Sequence, residues 1–479
     1  MSIPRLTTLF NRDKGSRYSF VACLILVILL LSSCATYYQK NLDFNLAFEK
    51  GQLESALKTL EGKESQATSK SRFVYFANRG LLLSVLGRYE ESNEFFEKAF
   101  LFGEDYHINY IFEAASYFYN PTVVVYRGED HEHLMVLYFK ALNYLKLKQP
   151  EQALVECRRL NIRLNQLSDK YSSDKKFQRD AFIHNLMGII YQSAGDYNNA
   201  FIAYRNAVEI YETDYVNLFG FSIPDQLKKD LLNTAQWTGF TEEFESFRTK
   251  FNMPDYQATE PGTELVFFWH NGLAPVKAEW NINFVLDKNS ENMVVFTNND
   301  LGLAFPFKVD EKKEKSDLRN IELLRVAFPK YNERKMYFQS AKIEKDSMTY
   351  DLQLGEDINK IAFHSLRQRM VLEFSKGLLR AALKKAAEQS VKKEDDRLGA
   401  LIGVMNAMTE KADTRNWQTL PHSIYYSRVP LEEGLNEVTF TTQTGDQVIK
   451  HKFTYEAPKN QTLFHTFSSL ESAGPTRLY

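Results

Sequence analysis

A repeated spacing in the first half of the chain is the feature that most constrains its fold. Two sets of seven residues follow the same offsets of 4, 3, 4, 2, 7 and 3. The first set is Phe76, Gly80, Leu83, Gly87, Tyr89, Phe96 and Ala99, and the second is His184, Gly188, Tyr191, Gly195, Tyr197, Tyr204 and Ala207. Partial copies occur at Ala141, Tyr144, Ala153 and Cys157 and at Gly51, Leu53, Ala56 and Leu60. Such self-similarity predicts a stack of like structural units.

The pattern resembles the tetratricopeptide repeat, which implies two antiparallel helices in each unit. Small residues would let the first helix approach its partner closely, and they stand at Gly80, Ala141 and Gly188. Gly87 and Gly195 would turn the chain between the helices, because glycine adopts positive φ at little cost. A further helix pair is expected around Pro224–Phe251, with Gly239 at its turn. Residues 34–252 are therefore predicted to form a helical repeat domain.

An insertion interrupts the repeats between Gly87 and Lys148. Its β-branched run, Thr122–Val125, favours an extended conformation and is expected to pack across the concave face of the solenoid. Asp130 is predicted to cap the helix that follows, with Glu132 and His133 in its first turn. If that stretch were extended instead, His131 and His133 would share one side and could bind a metal ion.

The concave face is the main candidate binding site, since helical repeats bind extended ligands there. The repeat offsets assign six residues to this groove: Tyr138, Leu142, Lys146, Asn185, Ile189 and Gln192. They include only one Lys and one Asn, so the clamp by which some tetratricopeptide proteins hold a terminal carboxylate is not formed. We expect an apolar groove that is filled either by a protein partner or by the valine run of this chain.

The pattern changes after Asn252 from helical spacing to short β-type runs. Residues 253–456 are predicted to form a β-rich domain, which makes the whole chain α+β. The expected strands are Glu264–His270, Val276–Val285, Ile321–Phe328, Lys335–Ile343, Thr349–Leu354, Ser423–Pro430, Asn436–Thr442 and Gln447–Tyr455. A helical insertion is expected over about 357–412, beginning with a long amphipathic helix. The tail, 457–479, is expected to be disordered.

One part of the insertion, Leu398–Met408, is apolar on nearly all sides. We expect it to be buried in the core of this protein. If it were exposed, it would mark a contact with a partner or a membrane. The residues that would form that contact are Leu398, Leu401, Ile402 and Met405.

The N-terminus has the form of a bacterial lipoprotein signal. Basic residues precede an uncharged stretch, Phe20–Leu31, and Leu31-Ser32-Ser33-Cys34 resembles the lipobox, in which the cysteine receives diacylglycerol. Residues 1–33 are thus predicted to be removed and Cys34 to carry the lipid. A membrane-spanning helix is the alternative, but twelve residues cover only about 18 Å. Ala35 in place of Asp favours the outer membrane, facing the periplasm.

The composition of the chain and the absence of known motifs exclude several classes of function. The mature chain would hold 55 basic and 60 acidic residues, a net charge of −5, which gives no basic excess for nucleic acid. With Cys23 removed and Cys34 acylated, Cys157 stands alone, so neither a disulfide nor a cysteine metal site is expected. The sequence contains no HExxH, GxSxG or GxxxxGK[ST] motif. We expect a protein without enzymatic activity or cofactor.

Two segments, Gly128–Asn161 and Ala412–Val438, resemble an uncharacterised family of bacterial tetratricopeptide lipoproteins. Members of that family resemble proteins that are found beside the lipoprotein activators of penicillin-binding proteins. This resemblance implies a role in envelope or peptidoglycan assembly. The leading interpretation is a lipid-anchored periplasmic scaffold that binds envelope proteins. The alternative is a chaperone or export factor for outer-membrane proteins or lipoproteins. An envelope hydrolase would need a site that the sequence does not reveal.

Overall fold

Helices make up the first half of the described chain. The computed structural model describes residues 35–104, 124–170, 179–287, 293–301, 303–308, 323–394 and 411–472. Several predicted features lie outside these ranges: the signal peptide, Cys34, Thr122 and Val123, the four apolar residues Leu398, Leu401, Ile402 and Met405, and residues 473–479. Within the described part, no helix has both the length and the apolar character needed to cross a bilayer.

The helices of the repeat region are numbered in chain order. They are α1 Tyr37–Lys40, α2 Leu42–Glu49, α3 Leu53–Glu61, α4 Arg72–Val85, α5 Tyr89–Glu104, α6 Asp130–Lys146, α7 Pro150–Lys170, α8 Ala181–Ser193, α9 Tyr197–Ile210, α10 Asp225–Trp237 and α11 Thr241–Lys250. A π-helical turn, Tyr211–Tyr215, and one further turn, Val216–Phe219, extend α9. From α2 onwards the helices form pairs, and the last pair lies in the predicted range 224–251.

Glycines hold the paired helices close together. A Cβ on Gly80 would lie 2.7 Å from the Phe96 ring, and one on Gly188 would lie 2.3 Å from the Tyr204 ring. These are equivalent positions in the two full copies of the repeat. In both copies the repeated glycine is needed because an aromatic ring of the second helix packs directly against it. Gly195 turns the chain between α8 and α9 with φ +78°, and Lys148 adopts φ 58° at the same point between α6 and α7.

In the described residues, three four-stranded sheets follow the helices. Sheet A has the order β12-β1-β9-β8, sheet B the order β4-β3-β2-β5, and sheet C the order β11-β10-β6-β7. The strands are β1 Glu264–Asn271, β2 Val276–Asp287, β3 Met293–Asn298, β4 Leu303–Lys308, β5 Leu323–Asn332, β6 Ser340–Lys345, β7 Met348–Asp351, β8 Gln353–Asp357, β9 Ser423–Pro430, β10 Gly434–Thr444, β11 Gln447–Ala457 and β12 Thr462–Ser468. The α+β class is therefore confirmed.

Strand β1 is buried on both of its faces. Alternate side chains point to opposite faces of a strand. Val266 and Phe268 pack against the helices, and Leu265, Phe267 and Trp269 pack against sheet C. This explains the uninterrupted apolar run of β1. Sheet A is thus sandwiched between the repeat region and sheet C.

Sheet B packs separately against a long helix, α12 (Ile358–Glu394). Phe374, Leu378 and Ala382 of α12 join Phe284 and Phe328 of the sheet in one apolar cluster. The start of α12 joins the main core instead, through Ile358 and Ile361. The helix therefore spans two cores, with apolar contacts between Ile358 and Ala382.

Two expectations about the β-rich region are corrected. The tail was expected to be disordered from residue 457, but β12 pairs in parallel with β1 along its whole length. It forms the edge of sheet A beside β1, and it is held there because its backbone groups complete the hydrogen bonding along one side of that strand. Strands β3 and β4 were not predicted, and they form a hairpin that extends sheet B.

Candidate functional site

The six predicted groove residues lie together, but they are covered by the β-rich region. Tyr138, Asn185 and Ile189 are completely buried, and Leu142 retains only 3% of its exposure. Lys146 and Gln192 are half-buried. They belong to α6 and α8, and we call the face on which they lie, together with the corresponding face of α2 and α4, the inner surface. Its use as a groove for an external partner stays a prediction, since a partner would have to displace what covers it.

Sheet A covers the inner surface at α6 and α8. The Tyr138 hydroxyl and Nε2 of His270 on β1 are 2.8 Å apart. The ring of Phe268 meets those of Tyr138 and Phe182 edge-on, at centroid distances of 6.4 and 6.5 Å. Burial lowers the pKa of His270 to about 3, so its imidazole is neutral in this apolar contact. The sheet therefore joins the helices through aromatic packing.

A buried arginine connects sheet A to the C-terminal repeats. Arg428 on β9 donates from Nε to Asp230 on α10 at 3.0 Å and from Nη2 to Tyr204 at 2.8 Å and Gln192 at 3.0 Å. Nη1 also pairs with Glu264 on β1. Burial raises the pKa of Asp230 to about 6, and the nearby guanidinium of Arg428 opposes that rise. Gln192, a predicted groove residue, is thus held by the chain itself.

A second polar contact joins α8 to β8 through two buried carboxyl groups. The Tyr215 hydroxyl lies 2.9 Å from Glu356 Oε2 and 3.3 Å from Asp180 Oδ1. Burial raises the pKa of both carboxyls, to about 6 for Asp180 and well above the usual range for Glu356. The negative charge of Asp180 adds to the rise at Glu356, whereas the hydrogen bond with Glu356 opposes the rise at Asp180. At Gly355 the sheet approaches so closely that a Cβ would lie 2.6 Å from Phe182.

An extended stretch, Lys411–His422, covers the inner surface at α2, α4 and α6; we call it the covering segment. Trp417 is fully buried between Phe96 and Phe139, with ring centroids 5.9 and 6.1 Å away. Thr419 donates a hydrogen bond to Asn78 at 2.7 Å, and Gln418 donates one to Asn45 at 2.5 Å. The first repeats thus hold a peptide of their own chain, as helical repeats hold external peptides.

The covering segment also binds the N-terminus of α6. The carboxylate of Glu132 accepts the Trp417 backbone N–H at 2.7 Å, the Tyr126 hydroxyl at 2.8 Å and the Glu129 backbone N–H at 2.9 Å. Burial, and then the negative charge of Glu129, raise the pKa of Glu132 to about 7. The predicted cap is corrected by one residue: Glu129 caps the helix, and Asp130 is its first residue. Glu132 and His133 lie in the first turn, as expected.

Glu129 is the centre of a buried ion cluster below this cap. It pairs with Lys277 of β2 and, at 2.5 Å, with Arg369 of α12. Burial opposes ionisation of Glu129, but these two cations outweigh it and hold its pKa well below the usual range. The cluster joins the repeats to sheet B and α12. The Glu129 carboxylate therefore links three parts of the fold: the repeats, sheet B and α12.

The two histidines beside this cluster serve packing. Burial lowers the pKa of His131 to about 4. The ring of His133 lies 5.0 Å from that of Phe73 and against Gly103, where a Cβ would come within 2.1 Å of it. Among the described residues, no group of three His, Cys, Asp or Glu side chains is placed to hold a metal ion.

A small cavity of about 50 Å³ remains between the inner surface and sheet A. Leu142 and Lys146 of the predicted groove line it, together with His270 and Glu471. Burial raises the pKa of Glu471 to about 7 and lowers that of Lys146 to about 8. The cavity has room for a few water molecules, whereas ligand sites measure about 300–1,000 Å³. At this point the groove is nearly filled.

The occupant of the groove differs from the expected one. Val124 and Val125 are the described part of the valine run. This part meets the covering segment at Arg415, whose Nη2 donates to the Val124 carbonyl at 2.9 Å. Sheet A and the covering segment occupy the positions proposed for the run. Ala412–Leu420 lacks both helical and strand periodicity, so no sequence signal assigned it to the inner surface.

The comparisons with known proteins support the repeat assignment. A tetratricopeptide repeat family model matches residues 183–214, which contain most of α8 and all of α9. The chain therefore contains a repeat of a type used in protein–protein interaction. No curated protein sequence matches the chain.

Solved structures give only weak likenesses. The apo form of RapI is 16% identical, with a TM-score of 0.33 over 45% of this chain and 52% of that one, so the chain spans about half of RapI. BtubC from P. vanneervenii is 15% identical, with a TM-score of 0.32 over 53% and 96% of the two chains. MamA from Desulfovibrio magneticus RS-1 is 16% identical, with a TM-score of 0.28 over 45% and 93%. At these scores the likenesses carry no functional argument.

Proposed function

We propose that this protein is a non-enzymatic adaptor, anchored through lipid on Cys34 to the outer membrane, that binds protein partners in assembly of the periplasmic cell envelope. Peptidoglycan assembly is included in this proposal because of the sequence resemblance described above. The observation that carries the adaptor role is the filled inner surface. Trp417 fills part of the inner surface of the repeats, and Arg428 ties sheet A to another part. The repeats therefore form a rigid body, and such a body presents its outer surface to partners.

The same observation argues against the chaperone alternative. A groove for many unfolded chains must be open or easily opened, but Tyr138 and Ile189 are completely buried under sheet A. Opening it would separate Arg428 from Asp230, and breaking a buried ion pair costs about 3–5 kcal/mol. A weak, unspecific ligand does not supply that energy.

The anchor is supported by the contacts of the residues that follow Cys34. Thr36 caps α1, accepting a hydrogen bond from the backbone N–H of Gln39 at 3.3 Å. The backbone N–H of Tyr37 donates to Thr414 in the covering segment at 2.9 Å. Because Cys34 immediately precedes Ala35, a lipid on Cys34 would hold the folded body directly against the membrane surface.

The anchor is tested by labelling growing cells with an alkyne analogue of palmitate. We expect the wild-type protein to be labelled and recovered with outer membranes, and the Cys34→Ala variant to lose the label. Cys157→Ala is the matched control, since Cys157 is fully buried, and it should keep the label. Labelling of both variants would contradict the proposed anchor.

The adaptor role is tested by crosslinking in cells, with a photoreactive residue at one of two positions. Ile162 on α7 is 57% exposed, whereas Gln192 on the inner surface is hydrogen-bonded to Arg428. We expect one or a few folded envelope proteins to be captured from the outer surface of the helices and none from Gln192. Capture of many outer-membrane precursors at Gln192 would instead support the chaperone.

A further inference from the structure

A second and larger cavity, of about 310 Å³, lies where the described chain begins; we call it the anchor cavity. Ala35 and Thr36 form part of its wall, beside residues of α1, the stretch before α4 and the covering segment. Consecutive Cα atoms are about 3.8 Å apart. Cys34 is therefore bonded to a residue that lines this cavity, and a membrane reached by its lipid would face the opening.

The charge of the anchor cavity is positive. Lys40, Lys70 and Lys411 line it, and within the described ranges these three side chains form no ion pair. Arg415 and two carboxylates also line the wall, so its basic side chains outnumber its acidic ones. Asp413 is paired with Arg415 at 2.6 Å, and Glu279 accepts the backbone N–H of Ala412 at 3.0 Å.

We propose that the anchor cavity takes the phosphate group of an anionic phospholipid headgroup, from the membrane that holds the lipid on Cys34. This inference rests on the proposed lipid anchor. Three lysines around an opening complement a phosphate, and each lysine near an anionic membrane contributes about 1 kcal/mol, or roughly fivefold in affinity. The volume is at the lower end of ligand sites and suits a headgroup without its acyl chains.

Headgroup binding would give the body one orientation on the membrane. A lipid on Cys34 fixes a point but leaves the folded region free to rotate about it. Lys40 on α1, Lys70 before α4 and Lys411 in the covering segment come from three separate parts of the chain. Because they surround one opening, phosphate bound there would hold all three parts against the bilayer.

The test uses the mature chain, residues 34–479, without acyl groups, as the Cys34→Ala variant. Flotation with phosphatidylglycerol-containing vesicles is compared with flotation with phosphatidylcholine vesicles at low salt. We expect binding only to the anionic vesicles, and a loss of at least tenfold in affinity for Lys40→Gln/Lys70→Gln/Lys411→Gln. The control is Lys229→Gln/Lys450→Gln/Lys452→Gln, which removes the same charge from exposed lysines elsewhere and should bind like the parent chain.

Equal loss of binding in both triple variants would overturn the inference, because it would show attraction by net charge alone. Retained binding in the cavity variant would overturn it as well. Binding of inorganic phosphate or an acidic peptide to the cavity, without vesicle binding, would assign it a different ligand. Circular dichroism and thermal melting verify that each variant is folded.

The outcome is separable from that of the anchor. Vesicle binding without palmitate labelling of Cys34 would reject the lipid anchor. Labelling of Cys34 without vesicle binding by the acyl-free chain would reject the headgroup site alone.

Discussion

Two parts of one inner surface are covered in different ways. Over α6 and α8 the cover is sheet A, whose central strand β1 is also the core of the sandwich with sheet C. Over α2 and α4 the cover is the covering segment, which lies outside every sheet. The sheet can leave the helices only if the molecule unfolds or its two halves separate. The segment is held by individual side chains and can be released locally.

The difference matters for how this fold could respond to a partner. Local opening in proteins occurs where backbone hydrogen bonds and buried apolar contacts are few. Trp417 is the main apolar contact of the covering segment, whereas β1 contributes Val266, Phe268, Leu265, Phe267 and Trp269 to two cores. A regulated opening of the inner surface would therefore begin at the segment.

The largest effect is expected from Arg428→Met. Loss of the guanidinium leaves the carboxylates of Asp230 and Glu264 without their cation in a buried site, which costs about 3–5 kcal/mol. Urea unfolding should report a lower free energy of unfolding for the whole molecule. Arg415→Met in the covering segment is the matched control: its partner Asp413 is partly exposed, so we expect a smaller loss, about 1.5–3 kcal/mol. Equal losses would contradict the distinction between the two covers.

Trp417→Ala should produce a comparable loss that remains local. Removal of a buried Trp side chain costs about 3–5 kcal/mol, because it leaves a cavity between Phe96 and Phe139. We expect amides of residues 411–422 to exchange hydrogen much faster, while those of β1 keep their protection. If β1 lost protection to the same degree, the two covers would form one cooperative unit.

The sequence predicted the parts of this fold that depend on local rules. Gly80 against Phe96 and Gly188 against Tyr204 follow from repeat spacing, and the alternation or apolar runs of the strands reveal β1, β2 and β9. It did not predict β12, since Thr462–Ser468 follows a turn and pairs with a strand almost 200 residues earlier. The local sequence pattern of a strand does not identify a partner that is so distant in the chain.

The sequence did not predict what covers the groove, for a similar reason. Each polar side chain of Asn416, Gln418 and Thr419 would suit a surface loop equally well. They are buried because Pro275, Asn45 and Asn78 offer matching groups across the fold. Polar complementarity between distant segments has no period, whereas helices and strands do. The six groove positions were predictable as one surface, but their occupant was not.

A pH dependence should test the buried carboxyl pair beneath sheet A. In the folded state the pKa of Asp180 is raised to about 6 and that of Glu356 well above its usual value. Between about pH 4 and pH 6 or higher, the folded chain thus holds protons that the unfolded chain has released, so stability falls as pH rises. Glu356→Gln removes this ionisation, and its amide can still meet Tyr215 and Asp180.

We expect Glu356→Gln to flatten the decline in the free energy of unfolding between about pH 5 and pH 8, by on the order of 1 kcal/mol. Glu344→Gln on sheet C is the control: Lys342 lowers the pKa of the Glu344 carboxyl, so this group stays ionised over the range and its replacement should leave the slope unchanged. A slope that is equally steep in Glu356→Gln would show that the carboxyl pair does not govern it.

The smallest expected effect concerns one hydrogen bond of the covering segment. Thr419→Val removes the hydroxyl that donates to Asn78 at 2.7 Å and leaves a buried amide oxygen without this donor. The expected cost is about 1 kcal/mol. A double-mutant cycle with Asn78→Ala isolates the contribution of this pair. The coupling energy is the difference between the loss of stability in the double variant and the sum of the losses in the two single variants. A coupling near zero would mean that Trp417 alone holds the segment, and that the polar contacts align the peptide without stabilising it.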